Sequence, residues 1–334
     1  GRSAQWAFLK ALGIKDSEII MPAYTCSVVA HAVTLSGNVP KFIDIKLNDY
    51  NMDLDLFESS ISKNTSAVIP THTFGYPQNI KRIEEAILKA EKRYNKKIWL
   101  IQDCCHAFGA KSDNRLIGTS GDVAVYALNI SKMITSVFGG MLTFQSRNLA
   151  DLIRKWRDEN FLKPSKIKVL KRKLYFSAVY PAFNQTLYGL TWYLQNKTKL
   201  LSNLTESYHL DEKIHFPPDY LDLMSDFEAS VGIEQLNKYS DIINRRISKA
   251  IWYNDNLERR KDWIFPPIIK GATYSHYVVR VPNREKVLDE YASNGIELGK
   301  LIQYSIPDLK CYKKESEHFP NAKLCSKQLI NFSL

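Results

Sequence analysis

Cysteine is scarce in this sequence and follows no pattern. The 334 residues contain five cysteines, which are Cys26, Cys104, Cys105, Cys311 and Cys325. The number is odd, and neither a CxxC pair nor a cluster of cysteine with histidine occurs in the sequence. We therefore predict no disulfide framework and no metal site. Scattered free thiols are typical of a reducing compartment, so we expect a cytoplasmic protein.

Long apolar runs, internal repeats and low-complexity segments are also missing. No stretch is long enough to span a bilayer as a helix, and the sequence shows no signal peptide. The chain opens on Gly1, Arg2 and Ser3, which read as part of a functional turn. We therefore expect that further residues precede them.

Acidic residues are outnumbered, and the formal net charge is +11. Part of the excess is local, because residues 163–173 hold six Lys or Arg and no acid. The charge favours anionic partners. No nucleic-acid recognition motif accompanies the run, so we expect no nucleic-acid partner. A basic face beside an anionic substrate is favoured, and contact with a membrane surface is the less favoured alternative.

The first 160 residues alternate between predicted strands and helices. Helices are predicted over Ser3–Leu12, Thr25–Leu35 and Ile80–Tyr94. The strands are short and apolar, as in EIIMPAY, IWLIQDCC and VAVYAL, and such runs are typical of strands buried on both faces. This alternation predicts an α/β fold with a mainly parallel sheet sandwiched by helices. Ligands of such sheets bind beyond the carboxyl ends of the strands.

The pattern changes after residue 160. Residues 161–215 hold the basic run and then an aromatic-rich stretch interrupted by Pro181, which we interpret as a variable insertion packed on the core or on a partner subunit. An interfacial pair of membrane helices is the alternative. We expect residues 1–215 to form a large domain. Residues 216–334, with a strongly helical segment over Asp226–Leu257 and then short strands, are expected to form a small α+β domain.

Lys132 and Asp103 are the strongest candidates for chemistry. Asp103 ends the buried strand of LIQDCCHAFGA, and Lys132 follows the next apolar strand, just before a Gly pair. A carboxylate and a lysine at these positions can face each other across one cleft. This pairing suits pyridoxal 5'-phosphate (PLP), which attaches covalently to a lysine and pairs its ring nitrogen with an aspartate.

The chain resembles the DegT/DnrJ/EryC1/StrS family of PLP-dependent sugar aminotransferases, which have the fold-type I architecture. The motifs that carry the resemblance are GRSAQWAFLKALGI, MPAYTCSVVAHAV, QDCCHAFGA, GTSGDVAVYALNISK, FGGML and MSDFEASVGIEQL. The resemblance covers most of the chain and weakens through residues 161–215. It implies a large cofactor-binding domain, a small C-terminal domain and a homodimer with the active site at its interface.

The resemblance also implies roles for individual residues around the cofactor. Lys132 matches the lysine that carries PLP and moves the proton, and Asp103 matches the partner of the ring nitrogen. His106 stands where the family commonly has glutamine, near the phenolic oxygen. The phosphate group would be held by Gly1, Arg2, Ser3 and Ser131. The helix opened by Gly1 supports this role independently, because a helix N-terminus attracts anions.

The same resemblance implies roles for four further residues. Cys26 occupies a position where relatives often place an aromatic ring over the cofactor, so either Cys26 or Tyr24 would contact the ring face. Tyr24 as an ordinary core residue is the alternative. His72 matches a position near the substrate. Ser225 matches one that can reach the phosphate group in the neighbouring subunit.

The implied reaction is amino transfer from an amino acid, with glutamate as the expected donor, to a keto group of a nucleotide-linked deoxysugar. The product would serve surface polysaccharide or glycosylated natural product synthesis. Two alternatives remain open. One is amination of a non-sugar or lipid-linked ketone, and the other is a non-catalytic relative that binds the cofactor or a sugar nucleotide.

Overall fold

A six-stranded sheet forms the centre of the protein. The computed structural model describes residues 1–182, 213–313 and 318–334. The sheet has the strand order β2-β1-β3-β4-β7-β8, in which all neighbours run parallel except the antiparallel pair β7 and β8. The strands are β1 (Glu18–Pro22), β2 (Val39–Ile43), β3 (Thr65–Val68), β4 (Trp99–Asp103), β7 (Val123–Ala127) and β8 (Gly140–Phe144). A small hairpin of β5 (Lys111–Ser112) and β6 (Arg115–Leu116) lies between β4 and β7 in the chain.

Helices connect and cover the strands. They are α1 (Arg2–Ala11), α2 (Ser27–Leu35), α3 (Leu54–Ser60), α4 (Ile80–Tyr94), α5 (Arg147–Asn160) and α6 (Lys166–Ala182). The α4 bounds agree with the sequence prediction because both ends carry clear signals. The Asn79 side chain accepts a hydrogen bond from the Arg82 N–H, and Asn95 ends the helix in the left-handed conformation. The α/β architecture predicted from the alternating pattern is confirmed.

In its described residues, the C-terminal part combines four α-helices with a two-stranded antiparallel sheet. Its helices are α7 (Asp226–Asn237), α8 (Tyr239–Asn256), α9 (Arg284–Ser293) and α10 (Pro320–Gln328), and its strands are β9 (Tyr277–Arg280) and β10 (Leu329–Phe332). The sequence predicted one helical segment over Asp226–Leu257, but the backbone leaves helical geometry at Lys238, with φ −108° and ψ 4°. No proline or glycine marks this break, so the sequence pattern did not indicate it.

The C-terminal part shares its hydrophobic core with the first 150 residues. Phe42 at the end of β2 packs edge-on against Tyr312 and Phe319, with ring centroids 5.7 and 6.4 Å apart. Asp44 accepts hydrogen bonds from the Asn321 and Ala322 N–H groups, both at 2.9 Å, and so caps α10 from a distant part of the chain. The division into domains at residue 215 stays a prediction.

The insertion proposed over residues 161–215 falls partly on described residues. Its basic run continues into α6, which contains Pro181 near its end. The rest of its aromatic stretch, residues 183–212, lies outside the described residues. None of the described helices combines the length and the apolar character that crossing a bilayer requires.

Candidate active site

The chain places its candidate catalytic residues along one edge of the sheet. In the parallel strands β1, β3, β4 and β7, the carboxyl ends lie at this edge. The segments that leave these ends carry Thr25, Thr71, Asp103 and Lys132. Convergence at one edge follows directly from the parallel topology.

Asp103 ends β4 and is almost fully buried, with 4% of its surface exposed. Its Oδ1 accepts a hydrogen bond from the Cys105 N–H at 3.1 Å, and its Oδ2 accepts one from the Thr71 hydroxyl at 3.2 Å. The Thr71 Oγ1 also lies 3.1 Å from the Thr25 Oγ1. The carboxylate is therefore held by neutral donors from two neighbouring segments. No ion pair with Asp103 forms among the described residues.

Lys132 lies in the loop that joins β7 to the antiparallel strand β8. The loop closes on itself, because the Ser136 N–H donates to the Leu128 carbonyl at 2.8 Å and the Leu128 N–H donates to the Gly139 carbonyl at 3.0 Å. The Lys132 N–H donates to the Asn129 carbonyl at 3.0 Å, which forms a tight turn around the lysine. Backbone hydrogen bonds thus fix the loop on which Lys132 is carried.

Two histidines lie within reach of the Lys132 charge. His106 stacks on Phe74, with ring centroids 6.1 Å apart, and meets His276 edge-on at 5.3 Å. Burial, reinforced by the positive charge of Lys132, lowers the pKa of His106 well below its ordinary value. The same two causes lower the pKa of His276 to about 3. Both imidazoles are therefore neutral near pH 7.

The start of α1 lies at the same edge as Asp103 and Lys132. A Cβ atom on Gly1 would lie 3.0 Å from the Ala127 Cβ, and one on Gly140 would lie 2.2 Å from the Gly1 nitrogen. Gly1 therefore packs closely against the end of β7 and the start of β8: a side chain at position 140 would collide with Gly1, and one at position 1 would press on Ala127. No side chain caps the helix at Gly1, so the first N–H groups of α1 are not satisfied by a cap.

Two adjoining cavities open near these residues. Lys132 and Cys105 line a small cavity of about 10 Å³. Gly1, Arg2 and Ser3 line a large one of about 830 Å³, which extends between α1, β8, α5, α6 and α7. Three residues line both cavities: Phe108, Leu128 and Ile134. The lysine thus borders a space that leads towards the α1 N-terminus.

The residues at this edge fit PLP on three structural grounds. Asp103 is a buried carboxylate whose described partners are all neutral, and a buried charge favours a cationic partner such as a protonated ring nitrogen. The His106 Nδ1 is buried without a hydrogen-bond partner among the described residues. The uncapped start of α1 offers N–H groups to a phosphate.

Tyr24 and Cys26 were the candidates for the residue on the cofactor face. Tyr24 is fully buried, and its hydroxyl donates to the Ile302 carbonyl at 3.1 Å. These contacts are those of a core residue, the alternative considered for Tyr24. Cys26 precedes α2 at its N-cap position and is only partly buried, so of the two it is the one with accessible surface.

His72, which we expected near the substrate, lies in the core instead. It is fully buried, its Nδ1 accepts a hydrogen bond from the Gln78 N–H at 2.9 Å, and its Nε2 lies 3.1 Å from the Gln102 Oε1. With both ring nitrogens engaged, His72 has no polar atom left for a substrate. It instead supports Gln102, the residue before Asp103.

The two candidate serines also have partners within the protein. The Ser225 hydroxyl donates to the Glu228 carboxylate at 2.7 Å and accepts from the Glu228 N–H, so that it forms the capping box of α7. The Ser131 hydroxyl lies on the surface and donates to the Asn129 Oδ1 at 3.1 Å. Neither contact is to a residue of the α1 turn, by which we mean Gly1, Arg2 and Ser3. Their roles toward a phosphate stay predictions.

Sequence reasoning missed His276 and Thr71. His276 directly precedes β9, and its placement beside His106 depends on packing between distant parts of the chain. No local pattern indicates such a contact. Thr71, by contrast, follows β3 at the edge where polar residues are expected, and this signal could have identified it.

Comparison with known families identifies the chain. The model of the DegT/DnrJ/EryC1/StrS aminotransferase family matches residues 1–187 and 194–334. The chain belongs to this family. The predicted membership, and with it the expected class of enzyme, is confirmed. This family is PLP-dependent, in agreement with the fit described above.

Curated relatives differ in how much of their length the chain matches. An uncharacterized protein of Methanocaldococcus jannaschii is 28% identical over 94% of this chain and 74% of its own length. A GDP-perosamine synthase of Caulobacter vibrioides is 25% identical over 89% of the chain and 68% of its own length. The GDP-perosamine synthase of Escherichia coli O157:H7 is 30% identical over 43% of this chain, and the match spans only 38% of that protein.

Solved structures share the fold of this chain at low identity. The sugar aminotransferase CalS13 of Micromonospora echinospora superposes with a TM-score of 0.73 at 16% identity, covering 99% of this chain and 79% of that one. The protein Spr1654 of Streptococcus pneumoniae, solved in a PMP form, gives a TM-score of 0.71 at 19% identity, covering 99% of this chain and 80% of that one. These likenesses confirm the fold-type I architecture.

Proposed function

We propose that this protein is a PLP-dependent aminotransferase that moves an amine from glutamate to a keto group of a nucleotide-linked deoxysugar. The observation that carries the proposal is the meeting of Asp103, the Lys132 loop and the uncapped α1 turn at one edge of the sheet. Family membership supplies the class of reaction. Relatives named as GDP-sugar and dTDP-sugar enzymes support a nucleotide-linked acceptor.

Each group at this edge has a distinct part in the proposed reaction. When bound, PLP supplies an electron sink that stabilises negative charge at the carbon bearing the amine. Asp103 would hold the ring nitrogen in its protonated form, and Lys132 Nζ would carry the cofactor and move the proton at the reacting carbon. The α1 turn would hold the phosphate group with Arg2. His106 Nδ1 is the candidate partner of the phenolic oxygen.

The large cavity offers space for an anionic acceptor. Arg2, Arg154 and Arg157 line it, together with aromatic side chains such as Phe108. Arg172 also lines it, but Asp219 and Glu228 engage its guanidinium. Guanidinium groups bind phosphate oxygens, and aromatic faces stack on planar rings. These features support a substrate that combines a diphosphate with a base. The products would serve surface polysaccharide or glycosylated natural product synthesis, and a homodimer is the expected assembly.

Formation of 2-oxoglutarate from glutamate tests the first half of the reaction. The purified protein, supplied with PLP, should release one equivalent of 2-oxoglutarate per active site without an acceptor. Continuous turnover should then require a keto sugar linked to GDP or dTDP. Turnover with free keto sugars or with simple ketones alone would contradict the nucleotide-linked acceptor. Failure to release any 2-oxoglutarate would favour another donor or a non-catalytic role.

A further inference from the structure

Helix α6 presents two chemically different faces. Lys168, Arg172 and Phe176, spaced four residues apart, lie on the partly buried face. Ile167, Leu170 and Leu174 lie on the opposite face. Because the chain from residue 163 to 179 contains no acidic residue, both faces carry positive charge only. The structure thus sorts the basic run into an inner and an outer set.

The inner set anchors the helix to the body of the protein. Lys168 pairs with Asp222 and, at 2.6 Å, with Asp219. Arg172 pairs with Asp219 at 3.0 Å and with the fully buried carboxylate of Glu228. Removing one partner of a buried pair is costly, so these contacts fix the rotation of α6 about its axis. Phe176 adds an edge-on contact with Phe227, at 5.9 Å between ring centroids.

The outer face of α6 exposes a continuous apolar stripe. Ile167, Leu170 and Leu174 are 69%, 57% and 62% exposed. Ala178 extends the stripe by another turn. Three exposed lysines lie beside or just before it: Lys163, Lys166 and Lys171. Large exposed apolar patches rimmed by polar residues mark interaction sites.

We infer that the outer face of α6 docks on an anionic membrane surface. A helix with an apolar stripe flanked by lysines lies in the plane of a lipid interface, where its apolar side chains enter the acyl boundary and its lysines meet the headgroups. Anionic lipids attract such lysines individually. The charge on this face matches a surface of that kind.

A second copy of this chain fits the same face poorly. In a two-fold symmetric interface with its axis on this face, the stripe of one copy would meet the stripe of the other, and the lysines beside it would face one another. Like charges placed opposite each other oppose association. The nearby acids Asp219, Asp222 and Glu228 are already paired with Lys168 and Arg172. These acids therefore do not offset the repulsion between the lysines. This inference does not depend on the substrate of the proposed reaction.

Vesicle sedimentation with the full chain tests the inference. The protein should sediment with vesicles that contain 30% phosphatidylglycerol in phosphatidylcholine and remain in the supernatant with pure phosphatidylcholine. Raising the salt from 50 to 500 mM should release it, because salt screens the lysine–headgroup attraction. Absence of binding to the anionic vesicles at 50 mM salt would overturn the inference.

Paired variants test whether vesicle binding depends on the outer face of α6 or on the charge and apolar surface of the protein in general. We expect Lys166→Ala/Lys171→Ala to weaken vesicle binding by about fivefold per lysine. Leu170→Ser/Leu174→Ser should also reduce binding at least tenfold. The matched control is Leu88→Ser/Lys89→Ala on α4, where both residues are exposed on another helix. It should bind as the unchanged protein does, and an equal loss in the control would overturn the inference.

Sedimentation velocity tests the competing possibility that a second copy of the chain covers the outer face of α6. If Leu170→Ser/Leu174→Ser splits an oligomer that the unchanged protein forms, the outer face is a contact between copies and the membrane inference is wrong. If the variant keeps its oligomeric state and its circular dichroism spectrum but loses vesicle binding, the inference holds.

Discussion

At the scale of the residue, the burial of Asp103 without a described cationic partner is the most informative property of the site. The Asp103 carboxylate accepts hydrogen bonds from the Thr71 hydroxyl and the Cys105 N–H and keeps capacity to accept a further, charged hydrogen bond. In the proposed function the ring nitrogen of the cofactor supplies that bond. We therefore expect that a substitution of Asp103 that removes only its charge will lower the rate of amino transfer.

Asp103→Asn should lower kcat with little change in the fold. The substitution keeps the shape but removes the charge, and a charge-assisted bond at a buried site is worth about 3 kcal/mol, or about 100-fold in rate. Steady-state kinetics with glutamate would measure the loss.

Asp44→Asn provides the matched control, because Asp44 is also a buried carboxylate just beyond a strand end. Asp44 caps α10 and is expected to affect stability only. Equal losses of kcat in the two variants would contradict the role of Asp103.

His72 should make the stability of the protein depend on pH. Burial lowers the pKa of His72 to about 4, against about 6.5 in an unfolded chain. Between these values only the unfolded chain binds the proton, so the free energy of unfolding falls as the pH falls from 6.5 to 4. The full contribution is about 3 kcal/mol. Urea unfolding at several pH values would measure it.

His72→Gln should remove this part of the pH dependence, whereas His318→Gln, at an exposed histidine, should leave it unchanged. The account of His72 fails if the variant and the unchanged protein lose stability equally between pH 6.5 and pH 4.

At the scale of the element, Ser225 is placed as the N-cap of α7. The Ser-x-x-Glu spacing of Ser225 and Glu228 is a capping-box signal, and the structure shows both of its hydrogen bonds. This signal was present in the sequence, yet the resemblance suggested a phosphate contact instead. The two roles predict different effects of the same substitution.

Ser225→Ala should lower the free energy of unfolding by about 1 kcal/mol, and Ser225→Gly by only a few tenths. Ser230→Ala is the control, because the exposed Ser230 hydroxyl donates to the Asp226 carbonyl within the same helix and caps neither end. If Ser225→Ala instead weakens PLP binding at unchanged stability, the hydroxyl reaches the cofactor.

The elements that the sequence predicted well are those with local signals. The α4 helix has an asparagine at each end, and Asp103 and Lys132 follow apolar strands whose carboxyl ends meet because the sheet is parallel. The break at Lys238 and the approach of His276 to His106 depend on tertiary packing, for which a single sequence contains no local pattern. The resemblance placed His72 near the substrate, but the sequence alone does not indicate that Gln78 and Gln102 engage both of its ring nitrogens in the core.

At the scale of the whole molecule, the N-terminal and C-terminal parts share one hydrophobic core. Tyr24 bonds to the Ile302 carbonyl, and Phe42 packs on Tyr312 and Phe319. Shared packing of this kind couples the stability of the two parts. The cofactor edge and the C-terminal residue His276 should therefore be lost together when the protein unfolds.

Phe42→Ala should shift the whole unfolding transition and not only one part of it. Truncating a buried phenylalanine costs about 3–5 kcal/mol. Leu56→Ala, at an exposed leucine, should cost little. Circular dichroism and tryptophan fluorescence should report coincident transitions in the Phe42→Ala variant. Separate transitions would show that the two parts unfold independently.

The most direct test of the central claim is to locate the lysine that carries the cofactor. The protein is supplied with PLP, its absorption is recorded with and without glutamate, and borohydride reduction is followed by peptide mass mapping. We predict a visible band of lysine-bound cofactor, a shift of that band on adding glutamate, and a label on Lys132. The absence of the band, or a label on another lysine, would contradict the account.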